Sequence, residues 1–440
     1  MDVRIRYGWV DSVRLALSVC CLAALQPALA FQQSDDEIFV VIKAGKIVTM
    51  AGDDIRDGVI VIVNGKVRAV GKGLDYPGNA KIIDARSLVV MPGMINPHTR
   101  IGLPRYTRSG VHGDLTVAAE YLPNESLNKD LLDSGYTVLG LYAAGRGVPG
   151  RGLVVRTGGD AAGRTLLDPA HLWIPFDKKA TRAALKKAQA EIDKVEKARK
   201  EFDEKQEKAK KSAGKKTPAT KPATKKAGKP TSQPTTQPTT QPVFEPPKIA
   251  AAYQALVDLI QKKEGLFVLL DSRRASDVIH LFDVLDEFDI AHKFKLRNFV
   301  QTDYDRVVDA LGEREAQVIL LPYLNYIMYS AERIHLIKAL SDAGCEVSLV
   351  PLFDSTREFG VMRQRLTDLV RDGWTREAAL KSVTLHPARL LGIDERFGSI
   401  EEGKEADLIF LDGDPLDPFA RVRQVMIAGE MVHTVEGDVK

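Results

Sequence analysis

Residues 89–103 read VVMPGMINPHTRIGL. An apolar run, Val89–Ile95, leads into a polar triplet, His98-Thr99-Arg100. A short apolar run bounded by turn residues is the pattern of a strand buried on both faces, as in parallel sheets. The polar triplet then falls at a strand end. The stretch is also a boundary. On its N-terminal side, Phe39–Lys43, Lys46–Met50, Val59–Asn64 and Lys66–Val70 are β-rich segments separated by tight turns. Asn64-Gly65 is a hairpin signal, because a type I′ turn needs two residues that tolerate positive φ.

On the C-terminal side the pattern changes. Thr137–Tyr142, Leu153–Arg156, Leu266–Leu270, Phe294–Val300, Val318–Leu321 and Val347–Val350 are short apolar runs. Amphipathic helical stretches such as Ala275–Phe288 and Ala331–Ala343 lie between them. With Val89–Ile95 these make seven strands of a repeated βα pattern. That pattern predicts an α/β fold with a (β/α)8, TIM-like barrel over residues 91–176 and 248–397, its eighth strand unassigned. At the far end β-rich segments return: Leu408–Leu411, Val422–Ala428 and Met431–Val435, with a turn at Ala428-Gly429-Glu430. Two chain ends that both read as sheet imply a composite β-sandwich from residues 38–90 and 398–436.

The chain has 440 residues, of which 44% are hydrophobic and 28% charged. That balance is ordinary for a globular protein and sets aside a disordered or membrane-spanning body. The net charge of +3 hides an asymmetry. Residues 178–230 hold 17 Lys and 2 Arg against 7 acidic residues, +12, so the rest carries −9. The folded part is acidic, which argues against nucleic acid as a partner. Residues 177–247 interrupt the barrel pattern. Lys178–Lys211 is charged and helix-forming, with Leu185, Ala188, Ile192, Val195 and Phe202 at heptad-like spacing, and Ser212–Pro242 is Lys/Pro/Thr-rich and expected to be disordered. Read as a solvated surface insertion, it could be deleted with little change in stability; a weak contact with an anionic envelope surface is the other reading.

Residues 1–30 carry a secretory pattern. Arg4, Arg6 and Arg14 flank an apolar run, Leu15–Leu25, and Ala28-Leu29-Ala30 fits a small-x-small cleavage site. A cleaved signal peptide and a secreted or periplasmic location are expected. Cys20 and Cys21 would leave with it, and the remaining Cys345 reads as a core thiol.

Three blocks carry a family resemblance: Val61–Leu103, Leu266–Phe288 (LFVLLDSRRASDVIHLFDVLDEF) and Thr384–Val432, which begins TLHPARLLGIDERFGSIEEGKEADLIFLDGDPL. Together they resemble the amidohydrolase superfamily, most closely its imidazolonepropionase-like periplasmic branch. The resemblance implies hydrolysis of carbon–nitrogen bonds other than peptide bonds, with a divalent metal such as zinc at the barrel mouth. The metal would lower the pKa of a bound water and polarise the scissile group. The family's ligands are implied to be His-x-His after strand one, a Lys, Glu or His near strand four, histidines after strands five and six, and an Asp after strand eight.

This chain departs from that set. His98 stands at the first ligand position that the resemblance implies, but Arg100 stands where the second histidine belongs. A guanidinium has no lone pair to donate, and at ~4 Å and an effective dielectric of ~20 its charge would repel a dication by about 8 kcal/mol. Asp271 aligns with the strand-four ligand. Phe299, Val300, Gln301 and Thr302, and then Pro322 and Tyr323, replace the histidines. Leu352 takes the place of the catalytic Asp, which Asp354 restores only if the loop is two residues longer. His98, Asp271 and Asp354 are thus the candidates for a reduced metal and catalytic site. Arg100 and Arg105, with Arg108 nearby, are the candidates for binding an anionic substrate.

Two functions remain open on these residues. One is a C–N hydrolase with a rearranged site; the other is a non-catalytic relative, holding no metal, that binds an anionic ligand or a protein at the mouth. The oligomeric state is left open. His280 is expected in the core and His335 on a helix face. Gly145–Gly152 (GRGVPGRG) and Thr157-Gly158-Gly159 resemble a Gly-rich stretch of the family but lack the context of a phosphate loop.

Overall fold

The computed structural model describes residues 38–122, 124–213, 243–263, 265–296, 304–326 and 333–435. The signal-peptide reading, most of the Lys/Pro/Thr-rich segment and Phe299–Thr302 lie outside these residues.

The two chain ends form one continuous sheet of seven strands. Its order is Glu430–Thr434, Val422–Ile427, Leu408–Leu411, Lys81–Pro92, Phe39–Ile47, Ile55–Val63, Lys66–Gly71. The expected sandwich is therefore a single curled sheet. Its far edge returns to the C-terminal segment, where Val67 N donates to Lys404 O at 2.8 Å and Gly403 N to Val67 O at 2.8 Å. A core of Ile42, Ile60, Ile62, Val90, Leu408 and Phe410 fills the curl. Two hairpin turns meet there. Asn64-Gly65 (φ 49 and 80) and Ala428-Gly429 (φ 50 and 80) share the type I′ signature. A Cβ on Gly65 would lie 2.4 Å from Ala428 O, and one on Gly429 2.8 Å from Gly65 Cα, so both turns need glycine for closeness as well as for φ.

Val89–Ile95 is not one strand. The chain breaks at Gly93, between Lys81–Pro92 in the sheet and Met94–Thr99 in the α/β body. A Cβ on Gly93 would stand 2.1 Å from Thr137 Oγ1, so only glycine lets the chain cross from one body to the other there.

The α/β body holds a mixed sheet, Thr165–Leu167, Leu153–Arg156, Tyr136–Leu141, Met94–Thr99, and a parallel sheet, Leu172–Pro175, Val268–Ser272, His292–Leu296, Gln317–Leu320, Glu346–Leu349. Leu153–Arg156 runs antiparallel to its neighbour. Ladder pairing does not join these sheets into a closed barrel. A few isolated hydrogen bonds cross the two seams instead: Ile95 N to Val383 O (2.8 Å) and Leu349 N to Ser382 O (2.9 Å) on one side, Gly152 N to His171 O (2.8 Å) and Ala170 N to Gly152 O (2.9 Å) on the other. One face of both sheets forms an inner cluster, with Ile95, Val138, Val154, Trp173, Leu269, Ile319 and Val350. The alternate residues, such as Val268, Leu270, Phe294 and Val318, pack outward among the helices. The unassigned strand is Leu172–Pro175, four residues ending in proline, too short for a periodic signal.

The charged helix Lys178–Ala213 is not fully solvated. Leu185, Ala188 and Ile192 are buried in the main core. Lys178 pairs with Asp283 at 2.6 Å and Arg182 with Glu287 at 2.7 Å, fastening the first half to Ala275–Phe288. This corrects the expectation that residues 178–242 are dispensable for stability. A charge-rich helix still buries a stripe when a neighbour covers one face. Leu185→Ala should cost about 2–5 kcal/mol of unfolding free energy in a denaturant titration. A change below about 0.5 kcal/mol, the usual range for surface sites, would show that the helix does not pack on the body.

Candidate active site at the strand ends

In a parallel sheet the C-terminal strand ends are the place for chemistry, because side chains from several strands converge there. Met94–Thr99 delivers His98 and Thr99, Tyr136–Leu141 leads to Tyr142, Leu172–Pro175 carries Trp173, Val268–Ser272 carries Asp271, and His292–Leu296 carries Lys295. Asp271 and Lys295 are register partners on adjacent parallel strands.

His98 is buried, and its ring stacks on Tyr142 with centroids 3.6 Å apart and planes at 10°. Trp173 closes the cluster, 5.0 Å from Tyr142 and 6.3 Å from His98. Two cations approach the Tyr142 ring: Lys295 Nζ at 5.6 Å and the Arg100 guanidinium carbon at 5.9 Å from its centroid, within reach of a cation–π attraction. The Trp173 indole N–H is buried and has no acceptor among the described residues.

Asp354 is spent on the neighbouring strand end. Its Oδ1 accepts from Thr99 Oγ1 at 2.5 Å and its Oδ2 from Arg100 N at 3.1 Å. The loop after Glu346–Leu349 is thereby clipped to the end of Met94–Thr99. Arg100 turns its guanidinium to the loop that follows it, donating to Pro104 O at 2.5 Å and to Tyr106 O at 3.2 Å. Arg105 is exposed and forms no ion pair among the described residues. Arg108 pairs with Glu120 and donates to Tyr106 Oη at 3.1 Å, so it is a half-buried loop contact rather than a free rim cation. Asp271 is 3% exposed and lies on the inner face with Leu269.

These residues do not fit the metal centre that the sequence resemblance implies. No three His, Cys, Asp or Glu side chains gather as a ligand set among the described residues. His98 meets aromatic faces, and the Asp354 oxygens meet Thr99 and a backbone amide.

The other histidines have local roles. His335 caps the helix Leu336–Asp342, its Nδ1 accepting from Lys338 N at 3.0 Å, and is not on a helix face as expected. His280 is exposed, a correction to its expected place in the core. His386 meets Val347 O at 3.0 Å, and His433 meets Asp133 at 2.6 Å. At the opposite end of the ring, Lys293 donates to Arg389 O (3.0 Å) and Leu390 O (2.5 Å), the last carbonyls of Leu385–Leu391. A cation suits a helix C-terminus, but burial pushes this one down to about 8. Burial likewise pushes the Cys345 thiol up to about 11, as expected for a core cysteine.

Tyr142, Trp173 and Lys295 were not read from the sequence as site residues. Lys295 left a signal: in His-Lys-Phe-Lys-Leu, residues 292–296, apolar Phe294 and Leu296 alternate with lysines, and period-two alternation aims both lysines inward.

Residues 274–432 match the model of the Amidohydrolase family. An amidohydrolase from Thermotoga maritima has a similar fold, with a TM-score of 0.64 at 21% identity, covering 90% of this chain and 100% of that one. An N-acetylglucosamine-6-phosphate deacetylase of Danio rerio is 48% identical over 60 residues, 14% of each chain. A 5'-deoxyadenosine deaminase of Methanococcoides burtonii is 40% identical over 81 residues, 18% of each chain. The chain thus spans less than a fifth of the length of these curated relatives.

Proposed function

The chain is an amidohydrolase-superfamily relative, matched over residues 274–432, and we propose that it uses the mouth of its strand ring to bind a ligand rather than to hydrolyse one at a metal centre. The observation that carries this reading is the fate of Asp354. Its two oxygens serve Thr99 Oγ1 and Arg100 N, and so clip a loop instead of facing a substrate. What supports a binding mouth is its lining: aromatic faces of Tyr142 and Trp173 with the half-buried Lys295 cation beside them. A cation beside aromatic faces suits a small ligand that is planar and carries an acceptor, such as a carboxylate. The anionic ligand of this reading meets Lys295 before Arg105, which stays at the rim. The secretory leader read at residues 1–30 belongs to the same proposal, placing this binding outside the cytoplasm.

A second reading keeps hydrolysis of a C–N bond, the bond type named by the deacetylase and deaminase relatives. It is favoured by His98 and Asp271, which are both buried at the same end of the ring. Metal analysis of the purified full-length protein separates the two. The binding reading expects less than a tenth of an equivalent of zinc, roughly, and no rise in melting temperature on adding zinc, since only ligand bound to the folded state stabilises it. A tightly held stoichiometric ion would sink it and restore the hydrolase.

A further inference from the structure

A cavity of about 710 Å³ opens at the end of the ring opposite the mouth. Three parallel strands begin there, Val268–Ser272, His292–Leu296 and Gln317–Leu320, and Phe267, Lys293 and Ala316 at their starts line it. We propose that this cavity is a second binding site, for a small carboxylate with an apolar body, anchored on Lys293.

Lys293 is half-buried in the cavity wall. Its Nζ donates to Arg389 O and Leu390 O and stands 4.2 Å from the centroid of the Phe267 ring. An ammonium has three donors, so two carbonyls leave one over. They also leave the charge unmet, for Lys293 forms no ion pair among the described residues. Taking a charge out of water is costly unless it is paired, and a carboxylate supplies the missing counter-ion and the missing acceptor together. The other cations of the wall do not compete. Lys262 pairs with Asp289, Lys263 with Asp258 at 2.6 Å, and Arg314 with Asp286 at 3.2 Å. Glu315, the remaining acid of the wall, is exposed to water. Leu266, Phe267, Ile290 and Phe294 give an apolar surface beside the one anchoring charge, the usual make-up of a ligand pocket.

The anchor sets a pH range. Glu346, itself paired with Arg389, and Asp394 face Lys293 and favour its charged form. His171, stacked on Phe267, is kept neutral by burial, and burial also pushes His292 and His386 down. Desolvation outweighs the two acids and brings Lys293 from 10.5 to about 8. The ammonium is therefore present below about 8 and lost above it, a range in which an ordinary lysine stays charged.

The test titrates benzoate, and benzamide as its neutral counterpart of the same shape, into the full-length protein and reads saturation-transfer NMR. The component of binding that belongs to this site is lost in Lys293→Met and kept in Lys295→Met, which removes the cation at the mouth, so the two sites are told apart. For that component benzoate should bind about tenfold more tightly than benzamide at pH 7, the ratio for one hydrogen bond to a charged group. Benzoate is still an anion at pH 9, yet it should bind there about tenfold more weakly than at pH 7, because the charged fraction of Lys293 falls from about nine-tenths to about one-tenth. Should Lys293→Met not fold, Ala291→Trp fills the cavity from an exposed position of its wall and should abolish the same component with Lys293 untouched. Four outcomes overturn the site: no binding of benzoate at ~50 mM, no component lost in Lys293→Met or Ala291→Trp in a folded protein, equal binding of benzoate and benzamide in that component, or a component indifferent to pH between 7 and 9.

Discussion

Replacing Arg156 with methionine should lower the unfolding free energy by about 3–5 kcal/mol, the cost of stranding a buried carboxylate. Arg156 leaves the end of Leu153–Arg156 and grips Asp407 in a fork, Nε to Oδ2 and Nη2 to Oδ1, both at 3.0 Å. Nη2 also reaches Glu405 at 3.1 Å. Arg156 and Asp407 are 7% and 5% exposed. Asp407 uses Oδ1 again to accept from Ala428 N at 2.8 Å, so the same carboxylate ties the α/β body to the composite sheet and pins the hairpin turn at Ala428-Gly429. Removing the guanidinium leaves that charge buried with one amide for company. Urea titration followed by circular dichroism reads the loss directly. A companion variant, Arg156→Met with Asp407→Leu, should recover part of it, since replacing both partners removes the stranded charge. A single-variant loss below about 1 kcal/mol, the level of an exposed pair, would show that water reaches the fork and that the two bodies are held by packing alone.

The second large effect is pH-dependent and belongs to His171. Its ring is buried, stacked on Phe267 at 5.3 Å, and neither ring nitrogen has a partner among the described residues. Burial, aided by the charge of Lys293, pushes its pKa down from 6.5 to about 4. Between those values the unfolded chain binds a proton that the folded chain refuses. Stability from this residue is therefore complete above the unfolded value, falls as pH drops from 6.5 toward 4, and levels off below that. The swing is about 3 kcal/mol, at about 1.4 kcal/mol per pKa unit. His171→Phe, which keeps the stack and removes the titration, should make unfolding free energy flatter by that amount between pH 7 and pH 4. Parallel curves for the two proteins would show that the ring finds water and titrates normally.

Much of the fold is legible in residue order. The Asn64-Gly65 and Ala428-Gly429 turns follow from local φ preference, and the apolar runs at Leu153–Arg156 and Val318–Leu321 fall on strands because both faces are covered. Legibility fails where a neighbour decides. Val89–Ile95 looks like one strand, and only the approach of Thr137 to Gly93 breaks it in two. The stripe Leu185, Ala188 and Ile192 reads equally as a weak coiled coil, and only the presence of Ala275–Phe288 beside it buries the first half. For the site, the substitution of Arg100 is plain in the triplet, but its consequence is not. Arg100 reads as an anion anchor, while its guanidinium in fact organises the loop at Pro104–Tyr106.

The sequence by itself determined the chain's resemblance to the amidohydrolases, its α/β class with a composite sheet, and the mismatch between its residues and a three-ligand metal set, because each of these depends on residue type and local periodicity. Only the tertiary structure decided what those residues do. Asp354 and Thr99 are 255 positions apart in the chain, and Arg156 and Asp407 are 251 apart. Local propensity carries no information about such pairs. Whether a carboxylate is a base, a clip or a pin depends on which donor the folded backbone brings within 3 Å of it, roughly the length of a hydrogen bond.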